Sequence, residues 1–174
     1  MANHFSQLAK KSRTNGKSNK IAKEQTGKPS LEIYTLGDKV LRQNSKRISK
    51  VDETIRNLAR EMLQSMYAAK GIGLAAPQIG INKELLGIDV NFEDSAAEPL
   101  ILINPEITDY GTTLNSYEEG CLSIPGIYLN VVRPSTIRLK FRDEMGRPRK
   151  MKADGLLARS VSYTHLTLPT IYSV

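Results

Sequence analysis

The sequence predicts an α+β fold in which antiparallel sheets gather around a central helix, and three observations carry that expectation. One strongly periodic helix comes early, short strand-like runs follow it in succession, and helices do not alternate with those strands as they do around a parallel sheet. The helix is expected over 52–70, where Ile55, Leu58, Ala59, Met62, Leu63 and Met66 recur at the spacing of a single buried stripe. Asp52 stands where a side-chain oxygen can accept from the first-turn N–H groups, and Gly71 stands where a helix commonly stops. Strands are expected over 85–90, 100–104, 127–132 and 136–142. In the last of these, Ile137, Leu139 and Phe141 alternate with Arg138, Lys140 and Arg142, the period of a half-buried strand. Glu144-Met145-Gly146 turns that strand back toward a further run at 149–153.

The chain has 174 residues, one domain by size and enough to bury a core. Its formal charge of +7 is unevenly distributed. Residues 1–28 set Lys10, Lys11, Arg13, Lys17, Lys20, Lys23 and Lys28 against Glu24 alone, so this leader is +6 and the remainder only +1. It is rich in Lys, Ser, Asn and Gln and poor in large apolar residues, so it is expected to be a flexible, solvated extension. Phe5-Ser6-Gln7-Leu8-Ala9 ahead of basic residues shares features with an organelle transit peptide, but the excess of Lys over Arg and the lack of a cleavage signal favour the solvated reading. Its cations could neutralise ribosomal RNA phosphates, without any sequence-specific nucleic-acid recognition. No apolar run reaches the roughly 20 residues that a membrane helix needs. One cysteine excludes an intrachain disulfide and fits a reducing compartment, the cytoplasm of a bacterium.

Two stretches carry chemistry. The first is Gly71-Ile72-Gly73-Leu74-Ala75-Ala76-Pro77-Gln78, and the second, Glu118-Glu119-Gly120-Cys121-Leu122-Ser123, holds the only cysteine. Taken singly, a glycine pair is usually a turn, a glutamine after proline a turn residue, and a lone cysteine a small buried hydrophobe. Together the two stretches resemble peptide deformylase, whose pattern runs G-x-G-L-A-A-P-Q, then E-G-C-L-S, then H-E-x-x-H on a helix. Asp38-Lys39-Val40-Leu41-Arg42 is similar to the family's G-D-x-V-L-R opening, and the resemblance covers about residues 31–159.

This resemblance implies a compact α+β enzyme that hydrolyses the formyl group from the N-terminal formylmethionine of nascent proteins, with the ribosome exit region as a possible partner. It implies Cys121 as a metal ligand, for ferrous iron in the family and for zinc or nickel as alternatives suited to a soft thiolate. Gln78, through its side-chain amide, and Leu122, through its backbone N–H, would donate to the negative charge developing on the formyl oxygen. Gly73 would pair with the substrate backbone as an added strand, Ile72 would wall the methionine pocket, and Glu119 would orient the loop of Cys121.

The third part of the pattern is absent. Alignment through Ala153-Asp154-Gly155-Leu156-Leu157-Ala158-Arg159 puts Tyr163, Thr164 and Thr167 where His, Glu and His should stand, and His165 is out of register. Two histidines four residues apart share one helical face and converge on one ion, and the Glu between them takes the proton of the bound water. Without them the chain is expected not to turn over and not to retain the metal. Residues 160–170 are rich in β-branched and hydroxyl side chains and contain Pro169, so they are expected to be extended or disordered, leaving the central helix missing or disrupted. The run from Ser160 resembles a conceptual translation of a transposase adapter used in short-read library preparation. The expected organisation is therefore a leader at 1–28, an incomplete deformylase-like domain at 29–159 and a non-native tail at 160–174. Two rival readings are a non-catalytic peptide-binding or ribosome-associated remnant, and a cysteine-nucleophile hydrolase that would lack a histidine base.

Overall fold

The computed structural model describes residues 29–164, with the side chains of the last helix described through Ser162. The leader and its transit-peptide reading, His4, His165, Thr167 and Pro169 lie outside the described residues.

Helix α1, Glu53–Ala68, begins on the expected cap, with Asp52 Oδ1 accepting from the Ile55 N–H at 3.1 Å. Its end departs from expectation. Lys70, not Gly71, takes the left-handed conformation, at φ 57°, while the Lys70 N–H donates to Tyr67 O and the Gly71 N–H to Met66 O. These are the two bonds of a Schellman motif, closed here on a residue with a Cβ.

Five strands, β1 (Gly73–Ala75), β2 (Leu85–Ile88), β3 (Leu100–Tyr110), β6 (Thr136–Arg142) and β7 (Pro148–Asp154), form an antiparallel sheet in the order β1-β2-β3-β6-β7. β4 (Leu114–Cys121) and β5 (Ile124–Pro134) form a separate two-stranded ribbon. Helix α2, Gly155–Thr164, follows β7 directly.

The two helices cover opposite faces of the sheet, which explains why Leu85-Leu86-Gly87-Ile88 and Leu100-Ile101-Leu102-Ile103 are apolar without alternation. Leu85, Ile101 and Ile103 pack with Met62, Leu63 and Met66 of α1. Leu86, Ile88 and Leu102 pack with Leu157, Ala158 and Val161 of α2. A strand buried on both faces needs apolar residues at every position. Gly87 belongs to this fit, since a Cβ there would lie 3.1 Å from Leu63 Cδ2.

The expected α+β class and antiparallel pairing are present. The correction concerns residues 160–164, expected to be extended and observed as the last half of α2. Burial of Leu157, Ala158 and Val161 against the sheet outweighs the low helix propensity of Ser and Val there, each such side chain contributing about 1–3 kcal/mol when buried. The helix runs without a break across the expected domain boundary at 159/160, so its ten described residues are neither missing nor disrupted. No helix among the described residues is long and apolar enough to cross a membrane.

Candidate active site

Both chemistry-bearing stretches meet at one cleft of about 530 Å³. Lys70 to Gly73 form one wall as the chain leaves α1 and enters β1, the edge strand of the sheet. The ribbon forms the other, through Gly120, Cys121 and Leu122, and Leu156 and Arg159 of α2 line it as well. All six residues singled out from the sequence, Ile72, Gly73, Gln78, Glu119, Cys121 and Leu122, line this one space.

Gln78 sits in a short 3-10 turn over Ala76–Ile79 and is 7% exposed. Its orientation follows from three contacts. Oε1 accepts from the Ala75 N–H at 2.9 Å, which turns the amide nitrogen the other way, and Nε2 donates to Ser123 Oγ at 3.1 Å and approaches Cys121 Sγ at 3.8 Å. The main chain is held equally closely: the Tyr34 N–H donates to Gln78 O and the Leu36 N–H to Ser123 O, each at 2.8 Å. One segment before the first motif thus laces the two motifs together.

Cys121 ends β4, where the register shifts between Gly120 and Cys121 before the chain turns into β5. The thiol is half-buried and free. Leu122 packs on the α1 core, and its side chain lies where a Cβ on Gly71 would have to go. Ile72 is fixed from behind, its carbonyl accepting from the Asp89 N–H at 2.9 Å. Asp89 in turn accepts from Tyr67 Oη at 2.7 Å inside the core. Burial first, and that bond second, hold the Tyr67 phenol far above its ordinary pKa.

Glu119 has more partners than the sequence suggested. Both of its oxygens accept from Arg133, and Oε1 accepts from Arg159 of α2 at 2.6 Å. Sequence reasoning missed Ser123, Arg133 and Arg159 as parts of this site. Ser123 lies inside the second motif, where nothing in the sequence marks its hydroxyl as a partner of Gln78, and nothing local to Arg133 or Arg159 signals the carboxylate they share.

Among the described residues, no group of three or more His, Cys, Asp or Glu side chains is arranged to hold a metal ion. Cys121 is a single soft donor, and the acid nearest to it in β4, Glu119, is engaged by two guanidiniums.

The family model described as Polypeptide deformylase matches residues 30–164. A peptide deformylase of Prochlorococcus marinus strain MIT 9312 is 90% identical over 163 residues, which are 94% of this chain and 81% of the relative. One of strain AS9601 is 88% identical over the same shares. Among solved structures, the peptide deformylase of Synechococcus elongatus in complex with actinonin superposes with a TM-score of 0.82 at 51% identity, covering 84% of this chain and 80% of that one. The Thermotoga maritima enzyme gives 0.72 at 34% identity, covering 77% and 88%.

Proposed function

The chain belongs to the peptide deformylase family of metal-dependent hydrolases, and from that premise we propose that the cleft between β1 and the ribbon receives the N-formylmethionyl end of a nascent peptide. The observation that carries this reading is the setting of Gln78. Its carbonyl is tied to the Ala75 N–H, so its NH₂ is aimed toward Cys121 and the open cleft before any ligand arrives. A donor fixed in advance has no reorganisation to undergo as charge develops on a formyl oxygen, and such a donor contributes about 3 kcal/mol to the transition state. The backbone N–H of Leu122 is the second donor. β1 is the edge strand of the sheet among the described residues, which suits an added substrate strand at Gly73, and Ile72 walls the methionine pocket.

Cys121 is the one retained metal ligand, and its soft thiolate suits ferrous iron, zinc or nickel. The described residues do not complete a catalytic metal centre, because Tyr163 and Thr164 of α2 stand where the family pattern has His and Glu. The chain as written therefore supplies the peptide-binding and oxyanion half of the site and does not turn over. We read the tail from about Ser160 as foreign to the gene, although the family match itself continues to residue 164, and reading the gene beyond the Arg159 codon tests that origin. Formylated nascent chains place the work beside the ribosome in the cytoplasm, in keeping with a single free thiol.

The test compares this chain with a version carrying Tyr163→His, Thr164→Glu and Thr167→His. Both are expected to bind a formylmethionyl peptide, and only the restored, metal-loaded protein to release formate. Failure of the restored protein to do so would favour a non-catalytic peptide-binding remnant.

A further inference from the structure

We propose that Glu119, Arg133 and Arg159 form a buried clasp that sets where the ribbon holds Cys121 against α2, with Arg159 as the positioning residue at its centre. The need for such a device follows from the topology. The ribbon shares no ladder with the five-stranded sheet, and two strands alone are marginal in water. Leu114, Tyr117, Tyr128 and Val132 of the ribbon are all exposed, so apart from Leu122 in the turn between its strands apolar packing does little to fix its orientation.

The clasp ties the two elements in both directions. From α2, Arg159 donates to Glu119 Oε1, to Val131 O at 3.2 Å and to Asn115 O at 3.2 Å, while its guanidinium lies 4.4 Å from the centre of the Tyr117 ring. One side chain thus touches both strands. From the ribbon, Arg133 holds both Glu119 oxygens and donates back to Ser162 O of α2 at 3.4 Å. The three side chains are 8%, 13% and 11% exposed, so these bonds form largely out of water. Planar guanidiniums accept few geometries around a carboxylate, which makes the set restrictive. A buried set of this kind contributes little stability compared with well-packed apolar side chains, and its value lies in specifying one arrangement. Glu119 is two residues from Cys121 on the same strand, so a ribbon that rocks on α2 carries the thiol away from Gln78.

The functional meaning of the clasp rests on the reading of Cys121 as the metal-binding thiol, whereas its test does not. The full chain is compared with Arg159→Met, Arg159→Lys and the triple variant Glu119→Leu/Arg133→Met/Arg159→Met. Three quantities are read: amide hydrogen exchange in 114–134 against that in 85–88 and 100–110, the rate of iodoacetamide alkylation of the single cysteine, and the thermal midpoint. Arg159→Met and the triple variant are expected to speed ribbon exchange about tenfold and alkylation several-fold, with exchange in the five-stranded sheet unchanged. Arg159→Lys is expected to fall between, because an ammonium cannot span the same acceptors. The triple variant, which removes the carboxylate and both guanidiniums together, should keep its thermal midpoint or raise it and so decides the question if Arg159→Met unfolds. Ribbon exchange and alkylation as slow in the triple variant as in the parent would overturn the clasp. A mobile ribbon together with a restored helix that releases no formate would keep the clasp and remove the proposed activity.

Discussion

The Leu122 side chain occupies the space beside Gly71, with Cδ1 2.6 Å and Cγ 3.2 Å from where a Cβ on that glycine would stand. The two motifs of the cleft therefore meet through a missing side chain. Gly71→Ala is expected to push Leu122 from its seat, costing about 1–3 kcal/mol from overpacking and weakening formylmethionyl-peptide binding several-fold. Thermal unfolding and calorimetric titration of the peptide check this. Peptide affinity equal to that of the parent would show that the position of Leu122 has no bearing on the cleft.

Ser123 is fully buried and accepts the bond that steadies the Gln78 amide. Ser123→Ala is expected to lower stability by about 1–2 kcal/mol in urea denaturation, because a buried N–H loses its partner. Peptide binding should weaken as well, since an amide held through Oε1 and only a long contact to Cys121 Sγ has more freedom in its NH₂. A Ser123→Ala protein with unchanged urea midpoint and peptide affinity would separate Ser123 from the site.

Tyr67 and Asp89 tie the end of α1 to the chain leaving β2, and the phenol there has a raised pKa, from burial first and from the Asp89 bond second. A group whose folded pKa lies above its unfolded value contributes stability that is complete below the unfolded value, near 10 for tyrosine, and is lost as pH rises beyond it. Stability is therefore expected to decline above about pH 10 more steeply in the parent than in Tyr67→Phe. Parallel alkaline limbs in denaturant titrations of the two proteins would contradict the coupling.

Asp143 organises the β6–β7 turn. Its carboxylate is partly desolvated, which raises its pKa, yet the Arg147 N–H and the Arg149 and Arg147 side chains outweigh this and hold it below the ordinary value. A depressed folded pKa contributes stability that is present above the unfolded value and lost as pH falls through the folded one. Asp143→Asn is thus expected to cost about 1 kcal/mol at neutral pH and progressively less below about pH 4, both arginines being half exposed. A stability difference that stays constant from pH 7 to about pH 2.5 would refute that account.

Local pattern made much of the fold legible. The stripe from Ile55 to Met66 marked α1 and its Asp52 cap, and the alternation in β6 gave its bounds as observed, Thr136–Arg142. β4 was not legible, since Glu118 to Cys121 draw attention as a motif and lack the alternation of a half-buried strand. By local pattern Asn104 is only a strand end. It adopts φ 52° and its amide exchanges two 2.8 Å bonds with the backbone of Ile48, a distant partner that no local pattern announces.

What the sequence determined by itself is the chemistry available: one thiol, one amide-bearing turn, a glycine pair beside it, and no histidines in the spacing that a metal requires. These are properties of covalent identity and short-range periodicity, which a linear chain displays in full. Tertiary structure decided that residues 160–164 are helical, that the Gln78 amide nitrogen points toward the thiol, and that one carboxylate is shared by arginines from two elements. Each depends on burial and on partners far away in the chain, where desolvation makes packing and hydrogen bonding outweigh the weak local preferences of the residues involved.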